Sequence, residues 1–124
     1  MLNDYYHADH FSILENVVGT NLALIRPFLD NNLINGKNSY KRSLEPAGTS
    51  CTPNAKYFKF NFQTGKTHRL RLINSGSEAV QKFSIDQHIL TVIAVDFVPV
   101  FPYTTTIATL AIAQRMDVLV SATL

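Results

Sequence analysis

Residues 58–98, FKFNFQTGKTHRLRLINSGSEAVQKFSIDQHILTVIAVDFV, decide the fold class. Phe58, Phe60 and Phe62 alternate with Lys59, Asn61 and Gln63, which places three aromatic rings on one face of an extended segment. Gln63-Thr-Gly-Lys66 reads as a tight turn, after which Leu70 and Leu72 point one way and Arg69 and Arg71 the other. Past Asn74-Ser-Gly76 the same alternation predicts strands near 80–86 and 89–95, and further strands near 105–112 and 115–122. No helix of crossover length separates them, so the chain is all-β, an antiparallel sandwich or barrel.

Outward from this stretch, Met1 to His7 suits an opening strand. Residues 10–18 suit about two helical turns with Phe11, Leu14 and Val18 near one face, ended by Gly19-Thr20. An extended Leu-Ile-Asn stops at Gly36, and residues 38–54, with two Pro, one Gly and five Ser/Thr, form the clear loop region. At 124 residues the chain is expected to make a single domain, spanning 1–124. A hydrophobic fraction of 46% against 16% charge fits a packed interior. Eleven basic and nine acidic residues are scattered without a stripe, so nucleic acid is not an expected partner. No run approaches the roughly 18 apolar residues of a membrane helix, so no membrane partner is expected. The opening MLNDYYHADHF lacks the basic end and apolar run of an export signal.

The chemistry-bearing residues are few. Electron-transfer copper sites use two His and a Cys thiolate. Here His7, His10, His68 and His88 form no His-x-His pair, and Cys51 has no flanking His. His7 and His10 are spaced for one helix face, but two ligands without a third rarely hold a metal. The expectation is that no metal is bound by this chain and that no residue is a catalytic nucleophile. His68 and His88 fall in strand contexts and read as hydrogen-bonded structural residues. Cys51 is either a free thiol or half of a bridge to another segment. Gly65-Lys-Thr67 lacks the upstream glycine and following helix of a phosphate loop, so it reads as a hairpin turn. Glu78 follows a short flexible Asn-Ser-Gly-Ser segment, and from composition alone it is a solvated loop acid at the rim.

Six blocks in order carry a resemblance: DYYHADHF at 4–11, DNNLINGK at 30–37, FQTGKTHRLRLINSG at 62–76, KFSIDQH at 82–88, TVIAVDFVPV at 91–100 and QRMDVLV at 114–120. Together they resemble the second, middle cupredoxin domain of an ascomycete-type laccase, in the multicopper oxidase family. The resemblance implies a Greek-key cupredoxin (plastocyanin-like) barrel. It also implies copper ligands in flanking first and third domains, which would be the partners of this one. Such a domain packs between its neighbours and walls part of a phenol-binding pocket, in a secreted parent enzyme that oxidises phenolic small molecules with O2. By the same resemblance Glu78, five positions before Phe83, contacts the substrate hydroxyl, and Ile25, Pro27 and Phe28 line the pocket. The family has Gly where this chain has Gln87, at a turn. On this reading the chain alone is inactive; the alternative is a stand-alone, non-catalytic cupredoxin-like fragment or interaction module.

Overall fold

The structure, a computed structural model, describes residues 1–44 and 55–122. Among the described residues eight strands carry the fold: β1 Leu2–Tyr5, β2 Asn31–Ile34, β3 Thr67–Ile73, β4 Gln81–Phe83, β5 Leu90–Val95, β6 Val98–Thr105, β7 Ala108–Leu110 and β8 Arg115–Ser121. One helix, α1 His10–Val18, and a 3-10 turn at Arg42–Leu44 interrupt them. The strands form an antiparallel four-stranded sheet in the order β3-β8-β5-β6 and two antiparallel pairs, β1-β2 and β4-β7. A parallel bridge from Leu2 to Asn74 ties the first pair to the end of β3.

The core follows from alternation. Leu90 and Val92 of β5, Met116, Val118 and Val120 of β8 and Leu72 of β3 turn to the same side of the large sheet. They pack against Ala108 and Leu110 of β7, Phe83 of β4 and Leu2 of β1 in one buried cluster. Each fully buried Leu or Val here contributes about 1.5–3 kcal/mol relative to exposure. On the outer side Arg69 of β3 pairs with Asp117 of β8.

Turn chemistry sets the register. Gly65, at φ +75°, occupies the third position of the turn closed by Lys66 N–H donating to Gln63 O at 3.1 Å, a conformation glycine adopts without strain. Asn35 and Gly36 both have positive φ in a two-residue turn closed by reciprocal bonds between Ile34 and Lys37.

Several expectations are corrected. The opening strand ends at Tyr5, and the 80–86 strand shortens to Gln81–Phe83. Phe58, Phe60 and Phe62 lie outside any strand, although their rings do line up: Phe58 meets Phe60 edge-on at 4.9 Å and Phe60 stacks on Phe62 at 6.0 Å. Alternation there orients the rings without any ladder partner. The expected strand at 105–112 resolves into the end of β6 and the short β7. β6 went unpredicted because Pro99 and Pro102 demote it, and it accordingly lies at one edge of the sheet. Its hairpin turn, Asp96-Phe97, has φ of 47° and 69°, the two positive values of a type I′ turn without the usual glycine. His88 sits in the turn before β5, where its Nδ1 lies 2.8 Å from Asp86 O. His68 lies in β3 as expected, and its Nε2 accepts from Gln63 N–H at 3.0 Å. Cys51 and most of the 38–54 loop lie outside the described residues.

Candidate functional site

The site begins with an acid in a strand. In β1, Leu2 and Asp4 face inward while Tyr5 is exposed, so period 2 carries Tyr6 to the side of Asp4. Asp4 is 7% exposed and collects four donors from the loop between β3 and β4. The backbone N–H groups of Ser77, Glu78 and Ala79 donate at 2.9, 2.8 and 2.9 Å, and the Ser77 hydroxyl at 3.3 Å. Burial raises the Asp4 carboxyl, but these bonds outweigh it and hold the group below its ordinary value.

The other anchor of that loop is Asn74, 1% exposed. Its Nδ2 donates to Ala79 O at 2.9 Å and Leu110 O at 3.1 Å, and its Oδ1 accepts from Gly76 N–H at 2.9 Å. Gly76 has no alternative: a Cβ there would lie 2.9 Å from the Asp4 carboxylate. The segment read as flexible is therefore a built loop, clamped at both ends by buried polar side chains.

Glu78 rides on this loop, exposed as expected, and its Oε2 accepts from the Tyr6 hydroxyl at 2.9 Å. Burial first, then the Glu78 bond and the charges of Asp4 and Glu78, push the Tyr6 phenol up to about 12; the Ser77 hydroxyl opposes this. Tyr6 also lines a cleft of about 170 Å³ with Ile13 of α1 and Leu24, Pro27, Phe28 and Asp30. At its lining the Asp30 Oδ2 accepts from His7 N–H at 2.8 Å. The helix stands at this edge because Asp9 caps it, accepting from the N–H groups of Phe11 and Ser12.

The structure thus brings Pro27 and Phe28 to one cleft and Glu78 beside it through Tyr6. Ile25 is exposed and stands outside the cleft lining. Tyr6 escaped sequence reasoning, and so did Asp4; the signal for both was an acid and an aromatic two apart in a segment whose alternation starts with buried Leu2. Among the described residues no three His, Cys, Asp or Glu side chains converge as metal ligands. His68 is bonded to Gln63, His88 lies against Asp86 O, the His7 ring packs edge-on to Tyr40 at 4.4 Å and the His10 ring edge-on to Phe11 at 5.6 Å. Among the described residues, this donor set does not match the two His and one Cys thiolate of an electron-transfer copper site.

Residues 1–124 match the multicopper oxidase family from end to end. The chain belongs to that family. Within it, the chain is 46% identical to Laccase-2 of Botryotinia fuckeliana over 121 residues, covering 98% of this chain and 20% of that protein. It is 36% identical over 123 residues to dihydrogeodin oxidase of Aspergillus terreus, covering 98% of this chain and 19% of that protein. The fold superimposes on the laccase of Botrytis aclada with a TM-score of 0.84 at 38% identity, over 99% of this chain and 22% of that one. The all-β reading and the cupredoxin class both hold, in a laccase-like multicopper oxidase chain. It spans about a fifth of the length of these relatives.

Proposed function

We propose that residues 1–124 are a single cupredoxin domain, the middle one of a laccase-type multicopper oxidase, which packs between two flanking domains and supplies part of a phenol-binding pocket. The observation that carries this is the Glu78 carboxylate, held by Tyr6 beside a cleft walled by Pro27 and Phe28. Phe28 is 85% exposed, and α1 buries none of its residues, so both offer apolar surface to a neighbouring domain. Copper and the electron-transfer steps belong to the flanking domains, and O2-dependent oxidation is the activity of the whole enzyme.

In this role the chain's residues bind, orient and hold a proton. A neutral phenol ionises near pH 10, and becomes strongly acidic once an electron is withdrawn. A carboxylate within hydrogen-bond reach of its hydroxyl aligns the ring and accepts the released proton. Glu78 is that group, and the Phe28 and Pro27 side chains are the apolar wall; Ile25, exposed and outside the cleft lining, is available to a neighbouring domain.

The test is Glu78→Gln in the copper-loaded parent oxidase. Loss of a general base lowers kcat/KM for phenols by about a hundredfold or more. Oxidation of ferrocyanide, which has no hydroxyl to bind and no proton to give, changes far less. Equal loss for both donors would remove Glu78 from the proton-accepting role.

A further inference from the structure

We propose that Tyr6 is the positioning residue for Glu78: its hydroxyl occupies one carboxylate oxygen and leaves the other for the substrate phenol. The inference rests on the reading of Glu78 as the phenol-binding group.

Its basis is geometric. Glu78 is an exposed side chain at a loop position, and such a carboxylate samples many rotamers unless something holds it. Its backbone is immobilised by the Glu78 N–H bond to Asp4 at 2.8 Å, but that bond does not choose a side-chain rotamer. Among the described residues the Tyr6 hydroxyl, at 2.9 Å from Oε2, is the group that does. Tyr6 is itself well placed to impose direction. It follows β1 directly, and its ring forms part of the cleft wall next to Phe28 and Pro27.

The contact also reproduces the recognition expected of the site. Tyr6 is a phenol, and its O–H donates to the Glu78 carboxylate as a substrate hydroxyl would. An ionised carboxylate accepts several hydrogen bonds over two oxygens, so Tyr6 on Oε2 does not exhaust it. Oε1 is left to accept from a substrate phenol. Tyr6 stays protonated throughout the working range of such an enzyme, because its own ionisation lies near pH 12. It therefore remains a donor and never competes as a base.

Two measurements test this. By ultraviolet titration of phenolate, the ionisation of Tyr6 in the oxidase should lie near pH 12. It should vanish in Tyr6→Phe and move down toward the ordinary value in Glu78→Gln. A Tyr6 titration unaffected by Glu78→Gln would show that the two side chains are not bonded and would overturn the proposal. In the copper-loaded oxidase, Tyr6→Phe should raise KM for a phenol about three- to tenfold relative to KM for ferrocyanide, the loss of one pre-ordered side chain. The double variant should be no worse than Glu78→Gln alone. If Glu78→Gln discriminates phenol from ferrocyanide and Tyr6→Phe does not, or if the two effects multiply independently, Tyr6 is not the positioning residue while Glu78 keeps its role. If Glu78→Gln fails to discriminate, the reading of Glu78 falls and this proposal falls with it.

Discussion

Asparagine in place of Asp4 should destabilise the chain by about 2–4 kcal/mol, because it nearly preserves shape while removing half of the acceptor capacity. The native carboxylate is 7% exposed and satisfies three backbone N–H groups and one hydroxyl. An amide offers one oxygen, and its NH2 group would face the remaining donors. A buried donor left unpaired costs about 1–3 kcal/mol, and hydrogen bonds to a charged group contribute about 1.5–3 kcal/mol. Ser77 and Glu78 are exposed, so water compensates in part, which holds the sum to the range stated. An unfolding entropy of about 2.1 cal/mol/K per residue makes this a fall in Tm of roughly 8–15 °C for a chain of 124 residues. The assay is circular-dichroism melting of the dilute chain at neutral pH, repeated at acid pH. The pH dependence has a definite sign. The folded Asp4 carboxyl sits below its ordinary 3.8, so its contribution is complete above that value and is lost as pH falls through the folded one. The gap between wild type and Asp4→Asn should therefore close in acid. A fall of less than about 2 °C at neutral pH, or a gap independent of pH, would refute the view that this carboxylate holds the Glu78 loop.

Two further outcomes concern the surface. Gln87 has φ 63°, where an L side chain costs about 1–2 kcal/mol and glycine costs about 0.5–1 kcal/mol in unfolded-chain entropy. Gln87→Gly should raise stability by about 0.5–1 kcal/mol in urea titration, and a decrease would mean that the glutamine side chain holds the turn. Phe101 is 97% exposed and Phe97 81% at the edge strand β6, so the chain on its own should self-associate with rising concentration. Sedimentation velocity should show Phe101→Lys shifting it toward monomer; a wild-type chain that stays monomeric throughout would discount β6 as a covered surface.

Much of the fold was legible because it is local. The turn at Gly65, the helix from His10 and the alternation of β3, β5 and β8 each depend on neighbours within a few residues; Asn35, read as extended, instead joins Gly36 in the turn after β2. β6 was not legible, since its prolines speak against a strand and its turn uses Asp96-Phe97 where a glycine would announce a hairpin. The candidate site was legible only in pieces. Glu78, Pro27 and Phe28 came from resemblance, and the composition of 74–78 suggested flexibility where Asn74 and Asp4 impose order.

The sequence by itself determined the alternation of β3, β5 and β8, the turn at Gly65 and the family to which the chain belongs. Those properties follow from backbone sterics and from patterns read over short distances. Only the tertiary structure decided that Asp4 meets the N–H groups of 77–79, that Tyr6 meets Glu78, and that Tyr6 lines one cleft with Pro27 and Phe28. Tyr6 and Glu78 stand 72 positions apart. What unites them is the parallel bridge from Leu2 to Asn74, which sets β1 alongside the end of β3. That bridge exists because Leu2 must bury its side chain in the common core, a demand no local pattern expresses.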